Sequence, residues 1–259
     1  MKKATKLMTL VLALVLALSC FAGCGKGNSI EAVQKAGVIT VATSPDFPPF
    51  ESLDGDQIVG IEVDVMAIIA EELGVDVEYV QMDFDSVLPG VQAGKFDVGM
   101  SGITVTAERE ENADFTMPYF LASQAIIVPA GSDIACKADL TGKLIAVQTG
   151  TTAESYCMDE GYEVQAYQAN NDAASALTSG KVDAWVVDNE VAVAFAAQLG
   201  DAVIVLDEKM TSEPYAFAFV KGSETLVEAF NEVIVAMIED GTMEAIFTEY
   251  GVTYVAPEM

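Results

Sequence analysis

The chain predicts an α/β fold in two halves, each a mostly parallel sheet flanked by helices, facing each other across a cleft. Three observations carry this expectation. From Val38 onward, short apolar runs alternate with helix-length amphipathic segments, the pattern of strands joined by helical crossovers. "GKFDVGMSG" from Gly94 is echoed by "GKVDAWVVD" from Gly180, so a Gly-Lys-apolar-Asp turn leads into an apolar strand twice. Each of those strands ends in polar residues, Ser101 and Gly102 in one case and Asp188 in the other. Ligands in open α/β sheets sit outside such carboxyl ends.

The elements follow in order. Lys2, Lys3 and Lys6 precede the apolar run 7–18 and a small-residue stretch, "SCFAGCGKGN". This is the layout of a secretion signal, and the run is shorter than the ~20 apolar residues a membrane span needs. "VITVAT" (38–43) reads as a buried strand opening into the loop "SPDFPPFE". Ile61, Val65, Ile68, Ile69 and Leu73 then share one helix face, with Gly74 as the stop. "VDVEYV" alternates as a strand, "SVLPGVQAGK" is a helical connection, and "FDVGMSG" is a strand running into a glycine turn. After "SQAIIVPA" the alternation resumes with "KLIAVQ", "YEVQAYQ", "VDAWVVD" and "AVIVL" as strands separated by helices. "YAFAFV" returns as one strand. The helix after Ser223 closes at Gly241, and "TMEAIFTEY" forms a last short helix.

Composition removes several functions. The 259 residues carry 12 basic and 40 acidic side chains and no histidine. Loss of residues 1–23 removes three lysines and no acid, leaving nine against 40, a net charge of −31. Nucleic-acid binding needs a basic footprint, which is missing. With no histidine and no CxxC, a zinc or redox site has no support, and no cofactor is expected. Cys136 and Cys157 are compatible with a disulfide, which export permits, or with two free thiols.

One stretch concentrates the chemistry. "SGITVTAERE" (101–110) contains Arg109, the sole arginine of the chain. Gly102 permits close backbone approach, and Thr104 adds a hydroxyl and an amide. Thr106 is a natural N-cap for a helix starting at Ala107, whose N-terminus attracts anions while the arginine grips a carboxylate in two parallel hydrogen bonds. A lone arginine among so many acids is most often a surface ion pair. The Gly/Thr turn at a strand end argues instead for a bound anion. "QTGTTAES" (148–155) is a second Gly/Thr turn opening a helix, with Thr151 and Thr152 as further donors and no phosphate-loop pattern. Asp188, in "VVDNE", can hold an ammonium, cap the helix starting at Asn189, or do both. Phe47 and Phe84, set among prolines and aspartates at strand ends, are placed to cover a flat or apolar side chain.

"VATSPDFPPFE", "GIEVDVMAIIAEELG", "QMDFDSVLPGVQAGKFDVGMSGITVTAERE", "DFTMPYF", "AVQTGTTAE" and "GKVDAWVVDNE" together resemble the extracellular solute-binding proteins of polar amino-acid ABC transporters, family 3. The resemblance runs from about residue 35 to the C-terminus. It implies the two-lobed type II periplasmic-binding-protein-like fold, with a large lobe of residues 35–120 and 214–259 and a small lobe of 124–209. Hinge crossings are expected near Phe120 to Gln124 and Lys209 to Pro214. By the same resemblance Arg109 clamps a ligand α-carboxylate, assisted by Ser101, Gly102, Thr104 and Thr152. Asp188 takes the α-ammonium, and Phe47 and Phe84 enclose the side chain. Ser44 stands where several receptors for basic amino acids carry an acid, with Asp46 nearby, and Gln148 faces the pocket. A polar amino acid is therefore the expected ligand. "FAGC" resembles a lipobox, which makes Cys24 the expected acylation site, Cys20 the alternative, and 24–34 a tether. The implied protein is a lipid-anchored, extracytoplasmic monomer that is not an enzyme and serves an ABC permease. Alternatives are a dehydratase of the same fold acting on prephenate or arogenate, and a sensory binding module.

Overall fold

A computed structural model of the protein describes residues 28–257. The expected signal segment and both acylation candidates, Cys20 and Cys24, lie outside the described residues. Part of the expected tether does not behave as one. Residues 30–36 form helix α1 (Ile30–Ala36), capped by Ser29, whose side chain accepts a hydrogen bond from the Ala32 amide. Asn28 is tied to Ser223 (3.0 Å) and Asp97 (2.7 Å), and Val33 is buried. An N-cap serine and one apolar side chain to bury suffice to fold this segment onto the large lobe.

In chain order, β1 (Val38–Thr43) leads into a three-stranded antiparallel ribbon of β2 (Asp46–Phe47), β3 (Glu51–Asp54) and β4 (Gln57–Val59). Then come α2 (Ile61–Leu73), β5 (Asp76–Gln81), α3 (Phe84–Gln92), β6 (Val98–Gly99), α4 (Ala107–Glu110) and β7 (Ala113–Phe115). β8 (Phe120–Ala122) crosses to the second half, made of β9 (Gln124–Pro129), β10 (Leu144–Gln148), α5 (Thr152–Asp159), β11 (Glu163–Tyr167), α6 (Asn170–Thr178), β12 (Ala184–Asp188), α7 (Asn189–Leu199) and β13 (Val203–Val205). β14 (Glu213–Tyr215) crosses back to β15 (Ala218–Val220), α8 (Glu224–Glu239) and α9 (Thr242–Glu249).

Each half is a five-stranded sheet, ordered β5-β1-β6-β15-β7 and β11-β10-β12-β9-β13. In both, three parallel strands are followed by one reversed strand. The reversed strands, β9 and β15, are those through which the chain enters each sheet from a crossing. The crossings pair antiparallel, with Phe120 opposite Tyr215 and Ala122 opposite Glu213. This pairing splits the expected single strand "YAFAFV". At Ala216 and Phe217 the chain changes partners, their amides donating to the Ile103 carbonyl and the Thr116 hydroxyl.

The lobes are held by ordinary apolar packing. Helix α8 buries Leu226, Phe230, Ile234 and Met237 along one face and leaves Glu228, Glu232 and Glu239 in water. Phe230 stands edge-on to Phe219 (5.0 Å, 83°), a burial that stabilises by roughly 1.5–3 kcal/mol. In the small lobe Trp185 is fully buried against the edge of Phe195. Phe50, Phe120, Tyr215 and Phe247 interlock at the large-lobe side of the crossings. Cys136 and Cys157 are free thiols, the latter buried. Among the described residues no helix is long and apolar enough to cross a membrane.

Candidate functional site

The carboxyl ends of both sheets meet at the interlobe cleft. On the large-lobe side, Thr106 caps α4 by accepting from the amide of Arg109 (3.2 Å). Because α4 is a single turn of four residues, its dipole is too short to act as an anion trap. The turn instead orients Arg109. Nη1 donates to the Thr104 carbonyl (2.8 Å) and Nη2 reaches across the cleft to the Gly150 carbonyl (3.1 Å). The guanidinium carbon stands 5.8 Å from the centre of the Phe84 ring. Among the described residues no ion pair includes Arg109. Burial lowers its pKa, opposed by the fields of Glu213 and Asp188.

The turn before it is braced from beneath. Gly102 has φ +53°, and a Cβ there would lie 2.5 Å from a Phe47 ring carbon, so only glycine fits without pushing that ring. Its amide donates to buried Glu62 (3.0 Å), which also accepts from the Tyr119 hydroxyl. Ser101 donates to buried Glu51 (2.6 Å) and accepts from the amide of Ser44 (3.2 Å). Burial and the adjacent Glu62 hold the Glu51 carboxyl well above the usual carboxylate range.

On the small-lobe side, Thr151 caps α5, its hydroxyl accepting from the Glu154 amide (3.2 Å) and donating to the Gln148 carbonyl (2.7 Å). The expected role of the Thr151 hydroxyl as a ligand donor is thus taken up by the turn itself. Thr152 is the first residue of α5, where amides have no acceptor within the helix. Asp188 ends β12 in the N-cap position of α7 but makes no cap hydrogen bond. Its carboxylate accepts from Gln124 (3.1 Å) instead. Burial, reinforced by Glu213, raises its pKa to about 7, against the lowering effect of Gln124 and of Tyr215 close by. No cation pairs with it among the described residues.

A small cavity between the lobes is lined by Phe47, Phe84, Gly102, Thr104, Arg109, Gln148, Thr152 and Asp188, together with Thr151. Two expected residues do not line it. Ser101 spends its hydroxyl on Glu51, and Ser44 gives its hydroxyl to Asp46 (3.2 Å). A wider groove of about 790 Å³ shares Phe84, Thr104, Arg109 and Thr152 but not Asp188, and its lining includes Asp85, Glu108, Asp159 and Glu213. Sequence reasoning missed Gln124, Gly150 and Asn170. Gln124 was legible as a polar residue opening β9 directly after the crossing. Gly150 acts through its carbonyl, and Asn170 through its amide as well as its side chain, which no local pattern advertises.

Residues 39–253 match the bacterial extracellular solute-binding proteins, family 3. The chain belongs to that family. Among family members, the arginine-binding extracellular protein ArtP of Bacillus subtilis is 31% identical over 242 residues, covering 90% of this chain and 94% of ArtP. An ancestral arginine-binding protein solved with arginine is 40% identical with TM-score 0.78, covering 83% of this chain and 98% of that one. An ancestral arginine-binding protein bound to glutamine is likewise 40% identical, with TM-score 0.79, covering 83% of this chain and 97% of that one. AncCDT-1, an ancestral amino-acid-binding protein and precursor of cyclohexadienyl dehydratase, is 35% identical with TM-score 0.79, covering 85% and 98% of the two chains. The fold is that of these two-lobed binding proteins.

Proposed function

We propose that the protein captures one free amino acid between its lobes and delivers it to an ABC permease, held at the outer membrane surface by lipid on Cys24. The observation that carries the reading is a guanidinium and a carboxyl, both without ion-pair partners, lining one cavity. Arg109 and Asp188 both line it, and neither has an ion-pair partner among the described residues. Recessing an unpaired charge is costly, and a zwitterion supplies both missing partners at once. The α-carboxylate sits on Arg109 with the amides of Thr104 and Thr152. The α-ammonium sits on Asp188 beside the Gly102 backbone, and the side chain runs between Phe47 and Phe84 towards Gln148. Closure removes water and strengthens each charge contact. The relatives named for amino-acid binding support this reading.

A thermal-shift screen against the common amino acids tests it, because a ligand bound only to the folded state raises the melting temperature with concentration. A polar amino acid is the expected hit, and no shift with any of them would defeat the reading. One observation favours a second reading. Asp188, with a pKa near neutrality in a cleft, has the character of a general acid, and one solved relative preceded a dehydratase. Keto-acid formation from prephenate would select that reading, and we expect none.

A further inference from the structure

Beside the cavity, behind Gln148, the two lobes touch through a group the ligand reading does not use. Helix α6 of the small lobe begins at Asn170, and its N-cap position is Ala169, which has no side chain to offer. Asn170 is fully buried, so its amide needs a partner. That partner comes from the opposite lobe. The Asp46 carboxylate, on β2, accepts from the Asn170 amide at 2.6 Å across 124 residues of chain. We infer that Asp46 is a closure latch, a side chain that caps helix α6 in trans and so helps to hold the lobes together.

The remaining contacts of Asp46 fit that role. Its other carboxylate oxygen accepts from Ser44 (3.2 Å) and, at the limit of reach, from Gln148 of the small lobe (3.5 Å). The Asn170 side chain donates to the Asp46 carbonyl (3.4 Å) and to Gln148 (3.1 Å). Gln148 is also fixed by the Gln168 carbonyl (3.1 Å). Every donor around this carboxylate is neutral. Asp46 does not line the ligand cavity, whereas Gln148 does, so the latch positions a cavity wall without reaching into the cavity. Burial raises the pKa of Asp46, and the Asn170 amide opposes that rise, as expected of a carboxylate sealed at a helix N-terminus. A second crossing point next to Arg109 helps the lobes meet. Gly150 has φ +80°, and a Cβ there would stand 3.0 Å from the Cβ of Asp85.

Small-angle X-ray scattering of the ligand-free protein tests the latch without assuming any ligand. Wild type is expected to contain a closed population. Asp46→Ala shifts the open-to-closed ratio about tenfold towards open, the usual worth of a lost cap. Asp46→Asn keeps an acceptor oxygen without the charge and falls between them. Asn170→Pro removes the donor amide at a helix position where proline is tolerated, so it should mimic Asp46→Ala. The double variant should open no further than either single one. Melting of the ligand-free variants should fall by only a few degrees, because the contact joins lobes that fold on their own cores. A ligand-free wild type that scatters as fully open, or an Asp46→Ala protein that scatters as wild type, overturns the latch. So does a large melting loss with unchanged scattering, which would make Asp46 a structural residue of one lobe. If the amino-acid screen yields a ligand, its dissociation from Asp46→Ala should be about tenfold faster. That arm alone rests on the ligand reading, so failure of the screen leaves the scattering test intact.

Discussion

At one end of the cleft the protein keeps two opposite charges without partners; at the other it keeps a carboxylate wrapped in neutral donors. Arg109 and Asp188 make the first end, the guanidinium steadied only by the carbonyls of Thr104 and Gly150 and the carboxyl by the Gln124 amide. Asp46, Ser44, Gln148 and Asn170 make the second, and their hydrogen bonds are largely satisfied by one another. An unsatisfied charge is a demand for a ligand, whereas a satisfied one is a joint between parts. The contrast separates binding from closure within a single cleft.

The comparison breaks first, and hardest, at Arg109. Arg109→Ala should lower affinity by roughly a few hundredfold, the middle of the range of about 2–5 kcal/mol that truncating one member of a buried charge pair costs. Calorimetric titration measures it, with circular dichroism unchanged. Asp188→Asn should cost somewhat less, about thirtyfold, and should abolish a proton signal. With no cation against it, buried Asp188 holds its proton until about pH 7. An ammonium against it favours the carboxylate, so binding near pH 6 releases a proton and affinity climbs from about pH 5 to 7 before levelling. Calorimetry in buffers of different ionisation heat detects that release. The same raised pKa makes the empty closed form less stable as pH rises from about 4 to about 7, when Asp188 must ionise in a buried place.

Smaller effects sharpen the contrast at the other end. Phe84→Ala removes the ring beside Arg109 and should weaken binding about tenfold, consistent with the loss of one aromatic contact of about 1–2 kcal/mol. Ser44→Asp replaces a hydroxyl that donates to Asp46 (3.2 Å) by a second carboxyl, so like-charge repulsion should weaken closure by a fewfold, which small-angle scattering of the ligand-free variant reads.

Much of the charged end was legible in the sequence, because its residues sit in turns with recognisable chemistry. Gly102 must be glycine at positive φ, Thr106 must cap, and Arg109 is the only guanidinium available. The alternation of strands and helices gave the two sheets in the same way. What escaped depended on long-range pairing. Nothing local to "SPDF" shows that Asp46 meets an amide 124 residues away. Nothing in "GNSIEAVQKA" weighs one buried valine against a glycine-rich leader, which is why residues 30–34 of this helix were counted with the tether. Ser101 and Ser44, expected to meet a ligand, do not line the cavity, because their hydroxyls are engaged by Glu51 of β3 and by Asp46.

The central claim concerns both ends of a free amino acid, and chemistry on the ligand tests it without disturbing the protein. Titrate the wild type with the amino acid identified by the screen, its α-carboxamide and its N-acetyl derivative. The account predicts binding of the first and a loss of about a hundredfold or more for each of the others. Equal affinity for the carboxamide would contradict it.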